Sequence, residues 1–158
     1  MELYGRGGIT ADANATRRSL NVRGLGAFDL RTLKPDGTPW DFSRRADRKM
    51  AMEHIDTQHP DFVVGSPPCT VFCVWNQHMN YPKMDPDRVA KLMTEGRMHL
   101  EFMAKIYKKQ LDQGRHFLHE HPATTVSWDE RSIVKLMAHS DVHVTFANQC
   151  QYGLKTHG

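Results

Sequence analysis

The chain has 158 residues, a net charge of +3 with histidine neutral, 39% apolar and 25% charged residues. That is the composition of a soluble globular protein with one real core, and no apolar run approaches the ~20 residues that cross a bilayer. Met1-Glu-Leu-Tyr-Gly5 carries no basic stretch followed by an apolar one, so no secretory leader and no membrane association are expected. Three cysteines cannot all pair, which points to a reducing, cytoplasmic interior rather than a disulfide framework. The mild positive charge is compatible with a nucleic-acid partner without demanding one.

Glu2 to Gly5 reads as a short strand running into the turn Gly5-Arg-Gly-Gly8. Thr10 can cap a helix to about Asn21, with Ala11, Ala13 and Ala15 favouring it. Gly24 and Gly26 end that unit, and Ala27 to Arg31 is a second short strand. Lys34-Pro-Asp-Gly-Thr-Pro39 is a loop by its turn residues. Ser43 to His59 reads as helix, stopped by Pro60. Asp61-Phe-Val-Val-Gly65 has the apolar, β-branched character of a buried parallel strand.

Residues 66–86 hold four prolines and no steady period, so a long loop is expected there, of a length that is often functional. Asp87 to Gln113 is the clearest helix, its apolar residues recurring at three- and four-residue steps, and Gly114 closes it. His116 to Glu120 is the next strand, ended by Pro122. Asp129 to His139 follows as a short helix, and Val142 to Phe146 as a last, alternating strand. Strand-helix alternation predicts an α/β domain with a mainly parallel sheet and helices on both faces. Ligands bind beyond the carboxyl ends of such strands. The glycine turn, Ser66-Pro-Pro-Cys69 and Glu120-His-Pro122 all sit there.

Glycines after a first strand admit a ligand close to the backbone, and the next helix N-terminus favours negative charge. A tight turn uses glycine anyway, so this feature alone is weak. Asp29 lies about twenty residues on, where an acid can accept from ribose hydroxyls. Asp41 is open to a similar role or to capping the following helix. Ser66-Pro-Pro-Cys69 is more informative: the prolines stiffen the turn and remove two donors, so Cys69 is held in a fixed direction at the sheet edge. As a nucleophile it needs a lowered pKa or a base nearby. Cys73 and Cys150 read as inert. Glu120 ends an apolar strand, where a poorly solvated carboxyl group is suited to donate a proton. Alternation puts His119 and His121 on one face and Glu120 on the other, which weakens a rival zinc reading that needs convergent ligands. Trp75 and Tyr81 suit either base stacking or pinning the loop.

In order and spacing, Glu2-Leu-Tyr-Gly5, Asp29, Asp41, Gly65-Ser-Pro-Pro-Cys-Thr70 and Glu120 resemble the cytosine-C5 DNA methyltransferases. The likeness is greatest to the divergent branch of phages, retroelements and metagenomes. Pro-Pro-Cys is the most specific part, because amino-methylating relatives usually carry an aromatic residue there. Glu120-His-Pro122 is similar to the family's Glu-Asn-Val. The turn reads Tyr-Gly-Arg-Gly-Gly, where the family usually has Phe-Ala-Gly-x-Gly.

The resemblance implies a Rossmann-like class I methyltransferase fold and S-adenosyl-L-methionine as methyl donor. It implies that Cys69 attacks C6 of a cytosine flipped out of DNA, and that Glu120 holds and protonates N3. Donor contacts implied are Tyr4, Gly5, Gly7, Gly8, Asp29, Asp41 and Pro67. Substrate contacts implied are Ser66, Pro68 and Thr70, with the loop from Thr70 to Met84 closing over the base. The family's target-recognition region would lie past Gly158, so a partner chain or further C-terminal sequence is expected. A binding module without turnover, and a methyltransferase for RNA or a small pyrimidine, are the competing expectations.

Overall fold

Neighbouring parallel strands need crossovers long enough to hold a helix, and the chain supplies them. The computed structural model describes residues 1–152. Four strands, β1 (Glu2–Leu3), β2 (Ala27–Phe28), β3 (Phe62–Gly65) and β4 (His116–His119), form one all-parallel sheet in the order β2-β1-β3-β4. Helices α1 (Gly8–Ala15) and α2 (Arg17–Leu20) link β1 to β2; α3 (Arg45–Gln58) leads to β3 and α4 (Pro86–Asp112) to β4; α5 (Arg131–Met137) follows. The chain steps from β1 out to β2, then returns past β1 to β3. The direction of winding therefore reverses between β1 and β3, where an open α/β sheet leaves a crevice at its carboxyl edge.

Register pairs Leu3 with Phe28 and Gly65, and Val63 with Phe117. Alternation then aligns these five residues on one face. α3 and α4 cover that face with Ala51, Ile55, Met103, Ile106 and Tyr107, all wholly buried. Glu2 points the other way and meets the start of α1, donated to by the Thr10 amide at 3.2 Å. A second cluster of Phe72, Leu100 and Ile133 fastens the segment after β3 between α4 and α5. Gly96 makes this possible, since a Cβ there would collide with the side chains of Val71 and Phe72.

α4 starts where its caps dictate, with Asp85 accepting from the Asp87 amide at 2.8 Å and Pro86 in the first turn. The helix expected from Thr10 to Asn21 starts earlier and breaks at Thr16. There the Thr16 hydroxyl donates to the Asp12 carbonyl at 2.7 Å, and the chain re-enters a helix as α2. Tyr4 leaves the strand with φ +59°, which ends β1 at Leu3. Val142–Phe146 forms no strand. β4 pairs with β3 alone among the described residues, and Val144 and Phe146 stay 55% and 80% exposed. Alternation does not make a strand where no neighbour accepts its backbone bonds. Residues 66–86, expected as a loop, fold into short helical turns at Thr70–Phe72, Asn76–Asn80 and Tyr81–Lys83.

A buried ion pair anchors the segment between β2 and α3. Lys34 Nζ lies 2.8 Å from Asp47 Oδ1, with side chains only 6% and 4% exposed, and Asp47 Oδ2 accepts from the Asp41 amide at 2.7 Å. Removing one partner strands the other charge in the interior. Lys34→Met is expected to cost about 3–5 kcal/mol in urea denaturation, whereas the double change Lys34→Met/Asp47→Leu recovers most of that loss. Equal losses in the single and double variants would exclude a net-unfavourable stranded charge as the cause.

Candidate active site

The carboxyl ends of β1, β3 and β4 lie side by side because the ladder continues one residue past the strands. The Ser66 amide donates to Leu3 O at 3.3 Å and the Glu120 amide to Gly65 O at 3.0 Å. Tyr4, Ser66 and Glu120 thus leave the sheet together at the crevice, as the strand ends predict. Asp29 follows β2 one strand further out.

Two loops are stitched together around the cysteine. Pro67 is buried and Pro68 exposed. His121 Nε2 sits 2.7 Å from the Pro67 carbonyl and its Nδ1 sits 2.6 Å from Ser127 Oγ. A carbonyl only accepts, so Nε2 carries the proton, and the Ser127 hydroxyl donates to Nδ1. Further along, the Thr125 hydroxyl donates to Phe72 O at 3.0 Å. The segment after β4 therefore grips the Cys69 turn at both ends. Burial pushes the Cys69 thiol up, and the charges of Glu120 and Cys73 push the same way. The resting cysteine is a thiol, without the lowered pKa that a ready nucleophile has. Glu120 is close enough to Cys69 to act on it electrostatically, but its side chain is exposed, so the poorly solvated setting expected from its strand is not present.

The glycine turn differs from a phosphate cradle. The Glu2 carboxylate is 6% exposed and accepts from the Gly7 and Thr10 amides at 3.3 and 3.2 Å. The α1 N-terminus thus already holds an anion of the chain itself. Gly5 is needed because any Cβ there would run into the Glu2 side chain, and Gly7 because φ is +91°. Gly8 faces open space.

Tyr4 OH lies 2.8 Å from His99 Nδ1. Burial raises the Tyr4 phenol and lowers His99, so the phenol donates to a neutral ring. Asp29 Oδ1 accepts from the Arg31 amide at 3.0 Å, a local turn that leaves the other oxygen without a donor among the described residues. Asp41 is more fully engaged. Its Oδ1 accepts from Ser43 N and Oγ at 2.9 and 2.6 Å, and its Oδ2 lies 3.3 Å from Arg44 Nε. The Ser43 hydroxyl holds this carboxyl below the usual range. Asp41 does not cap α3, which starts at Arg45 with Arg44 as its N-cap and no side-chain cap bond; its carboxyl group instead folds the turn ahead of that helix.

Tyr81 pins the segment after Cys69 by donating to Val71 O at 2.8 Å, while Trp75 stands 70% exposed. Tyr81 thus takes the pinning role, one of the two that the sequence left open. Thr70 is exposed, and its carbonyl accepts from Asn76 Nδ2 at 2.6 Å. A cavity of about 650 Å³ opens along the outer edge of β4 and is lined by Glu120 and His121; an open hollow of about 410 Å³ starts at Thr70. Cys69 lines neither. Among the described residues no three histidine, cysteine or acidic side chains converge as metal ligands, and no helix is long and apolar enough to cross a membrane.

His119 and His121 do share a side, with ring centroids 4.6 Å apart, but they pack as neutral rings against Tyr107 and Trp128. Burial and the neighbouring His121 lower His119 to about 3. The structure brings Glu2 and Ser127 to the site with no role expected for them, and it gives His121, weighed in the sequence only as a metal ligand, a structural role instead. An acid just ahead of the glycine turn was the available signal for Glu2. For Ser127, six residues beyond His121, there was none. No family model, curated protein or solved structure matches the chain.

Two measurements follow from these environments. A histidine at about 3 when folded and 6.5 when unfolded binds fewer protons in the native state. Stability should therefore be complete above pH 6.5 and fall as pH drops toward 3, with a slope of about 1.4 kcal/mol per pH unit for that one group. Urea melts across this range should show His119→Phe with a shallower slope than the parent; identical slopes would remove His119 as the source. Separately, iodoacetamide should modify Cys69 more slowly than N-acetylcysteine at pH 7.5, with the rate still rising above pH 9. A Cys69 faster than the free thiol would mean that burial does not control it.

Proposed function

We propose that the chain is an S-adenosyl-L-methionine-dependent DNA methyltransferase domain that acts on C5 of cytosine through a covalent bond to Cys69. The observation that carries this reading is the pairing of a proline-fixed cysteine with a glutamate on adjacent strand ends, beside the crevice where the sheet reverses its winding. A nucleophile and an acid side by side is the set that activation of a pyrimidine ring requires.

The glycine turn supports a donor of this kind. With Glu2 already on the helix N-terminus, a pyrophosphate would meet a like charge, whereas a cationic sulfonium donor with an ammonium group would meet a favourable one. Tyr4, Gly5, Gly7, Gly8 and Pro67 would hold it, with the unengaged oxygen of Asp29 available to a ribose hydroxyl. Asp41 fits an adenine contact less well, because both its oxygens are occupied. When bound, the donor supplies an electrophilic methyl group. Cys69 Sγ, its proton passed to solvent, would bond to C6 of the ring while Glu120 shares a proton with N3, and C5 would become the nucleophilic carbon. C5 would take the methyl group as the donor's methyl–sulfur bond breaks and leaves a neutral thioether; loss of the C5 proton to solvent, breakage of the Sγ–C6 bond and return of the N3 proton to Glu120 would then regenerate free Cys69. Ser66, Pro68 and Thr70 flank the ring, and exposed Trp75 offers a face on which a base can stack.

One observation favours a second reading, a module that binds donor or nucleic acid without turnover: the thiol is raised and Glu120 is open to solvent.

The test uses DNA carrying 5-fluorocytosine, tritiated donor and the full chain. Fluorine at C5 cannot leave as a proton does, so an attacking cysteine stays attached. A labelled adduct in the parent, absent in Cys69→Ser and reduced by roughly 100-fold or more in Glu120→Gln, is the expected result. Donor binding by calorimetry without any adduct would instead support the binding module, and absence of both would overturn the methyltransferase reading.

A further inference from the structure

We propose that His121 is a positioning residue for Cys69: its neutral ring sets the direction of the thiol by holding the Pro67 carbonyl. The inference rests on Cys69 being the nucleophile. Proline fixes φ and lacks an N–H, so residues 67 and 68 bring no amide donor that could tie down their own turn. A residue before proline is confined to an extended basin that is still tens of degrees wide. Within that basin, the ψ of Pro67 decides where Pro68 and Cys69 point, and ψ is read out by the direction of the Pro67 carbonyl. The donor on that carbonyl is His121 Nε2 at 2.7 Å.

The ring has little freedom to do otherwise. It is 8% exposed and Ser127, on its far side, is fully buried. Ser127 Oγ at 2.6 Å donates to Nδ1 and so selects the tautomer with hydrogen on Nε2. Ser127 is itself placed by a short helical turn, Val126–Asp129, whose cap Thr125 also holds Phe72 O. His119, packed 4.6 Å away, and Trp128 fix the ring plane. The relay runs Ser127 to His121 to Pro67, and it ends two residues before the thiol. Because His121 adjoins Glu120, one short stretch after β4 both carries the acid and aims the nucleophile.

The test compares His121→Phe, His121→Gln and Ser127→Ala in the full chain. Phenylalanine keeps the ring without the donor, glutamine restores an amide donor at the reach of Nε2, and Ser127→Ala removes only the tautomer control. On the 5-fluorocytosine substrate, His121→Phe is expected to lower the trapping rate by roughly tenfold to a hundredfold, with the KM for DNA and the donor Kd unchanged. His121→Gln should recover most of that rate and Ser127→Ala should fall between. Iodoacetamide labelling of Cys69, followed by peptide mass spectrometry, needs neither donor nor DNA. It should be faster in His121→Phe, where the turn is released, and close to the parent in His121→Gln. Should the parent trap no DNA while labelling follows this order, the methyl-transfer reading falls and the role of His121 stands. Should His121→Phe and His121→Gln behave alike in labelling, or lose rate only through KM, the positioning role is overturned. If His121→Phe fails to fold, Ser127→Ala against the parent decides the same question.

Discussion

Strands of two to four residues have too few ladder bonds to hold a sheet together, and here α4 does much of the holding. Tyr107 is wholly buried; its ring stacks on Phe117 with centroids 4.3 Å apart, and its hydroxyl donates to Gly65 O at 3.1 Å. His119 Nδ1 reaches the same hydroxyl at 3.2 Å. One turn of α4 along, Gln110 Nε2 donates to Pro60 O and His116 O at 2.8 and 3.0 Å. Tyr107 thus ties the carboxyl ends of β3 and β4, and Gln110 their amino ends. The placing of Ser66 and Glu120 hangs from the first of these ties, because both follow directly from the two strand ends that Tyr107 joins. Gly65 is required at that point, as any Cβ would run into Met103 and the Tyr107 hydroxyl.

The interior groups that could carry charge are paired, held by backbone amides or kept neutral. Lys34 and Asp47 are paired, and Glu2 lies against helix amides rather than a cation. His99, His119 and His121 are each lowered by burial, so they serve as fixed donors and acceptors instead of charges. His119 shows the economy of this. With Nδ1–H directed at Tyr107, its buried Nε2 is an unpartnered acceptor, which costs less than an unpartnered cation. The buried histidines near the crevice therefore add no charge, and the Cys69 thiol beside them is raised.

Long-range pattern was legible in the sequence where a single element carried it. The amphipathic run of α4, the apolar Phe62-Val-Val-Gly65 and the proline turn each declare themselves locally, and with them the parallel sheet and the gathering of Tyr4, Ser66 and Glu120 at one edge. Partnerships between elements were not legible. Val142–Phe146 has the alternation of a strand but no neighbour to pair with, and alternation contains no information about neighbours. Glu120 was expected to be desolvated because its strand is apolar; β4 is an edge strand, and edge position is a property of the sheet order. His121 was weighed as a metal ligand because histidines cluster nearby, whereas its actual partners, Pro67 and Ser127, lie far before it and shortly after it in the chain.

A raised thiol and an exposed acid look at first like the marks of an inert site, yet under the proposed methyl-transfer reading they would be complementary halves of a site that its substrate completes. Burial is the main reason that the Cys69 thiol is raised, and the nearby Glu120 carboxylate adds to it. A pyrimidine placed between them, as proposed, would share a hydrogen bond between its N3 and Glu120. With that proton between them, Glu120 would oppose a thiolate at Cys69 less than the free carboxylate does. Such a coupling would make the nucleophile depend on the correct ring being present. It would also require that the sulfur already point at C6 when the acid is engaged. For that reason the direction of the turn cannot be left to the prolines alone, and a buried, uncharged donor on the Pro67 carbonyl suits this chemistry better than a cation would.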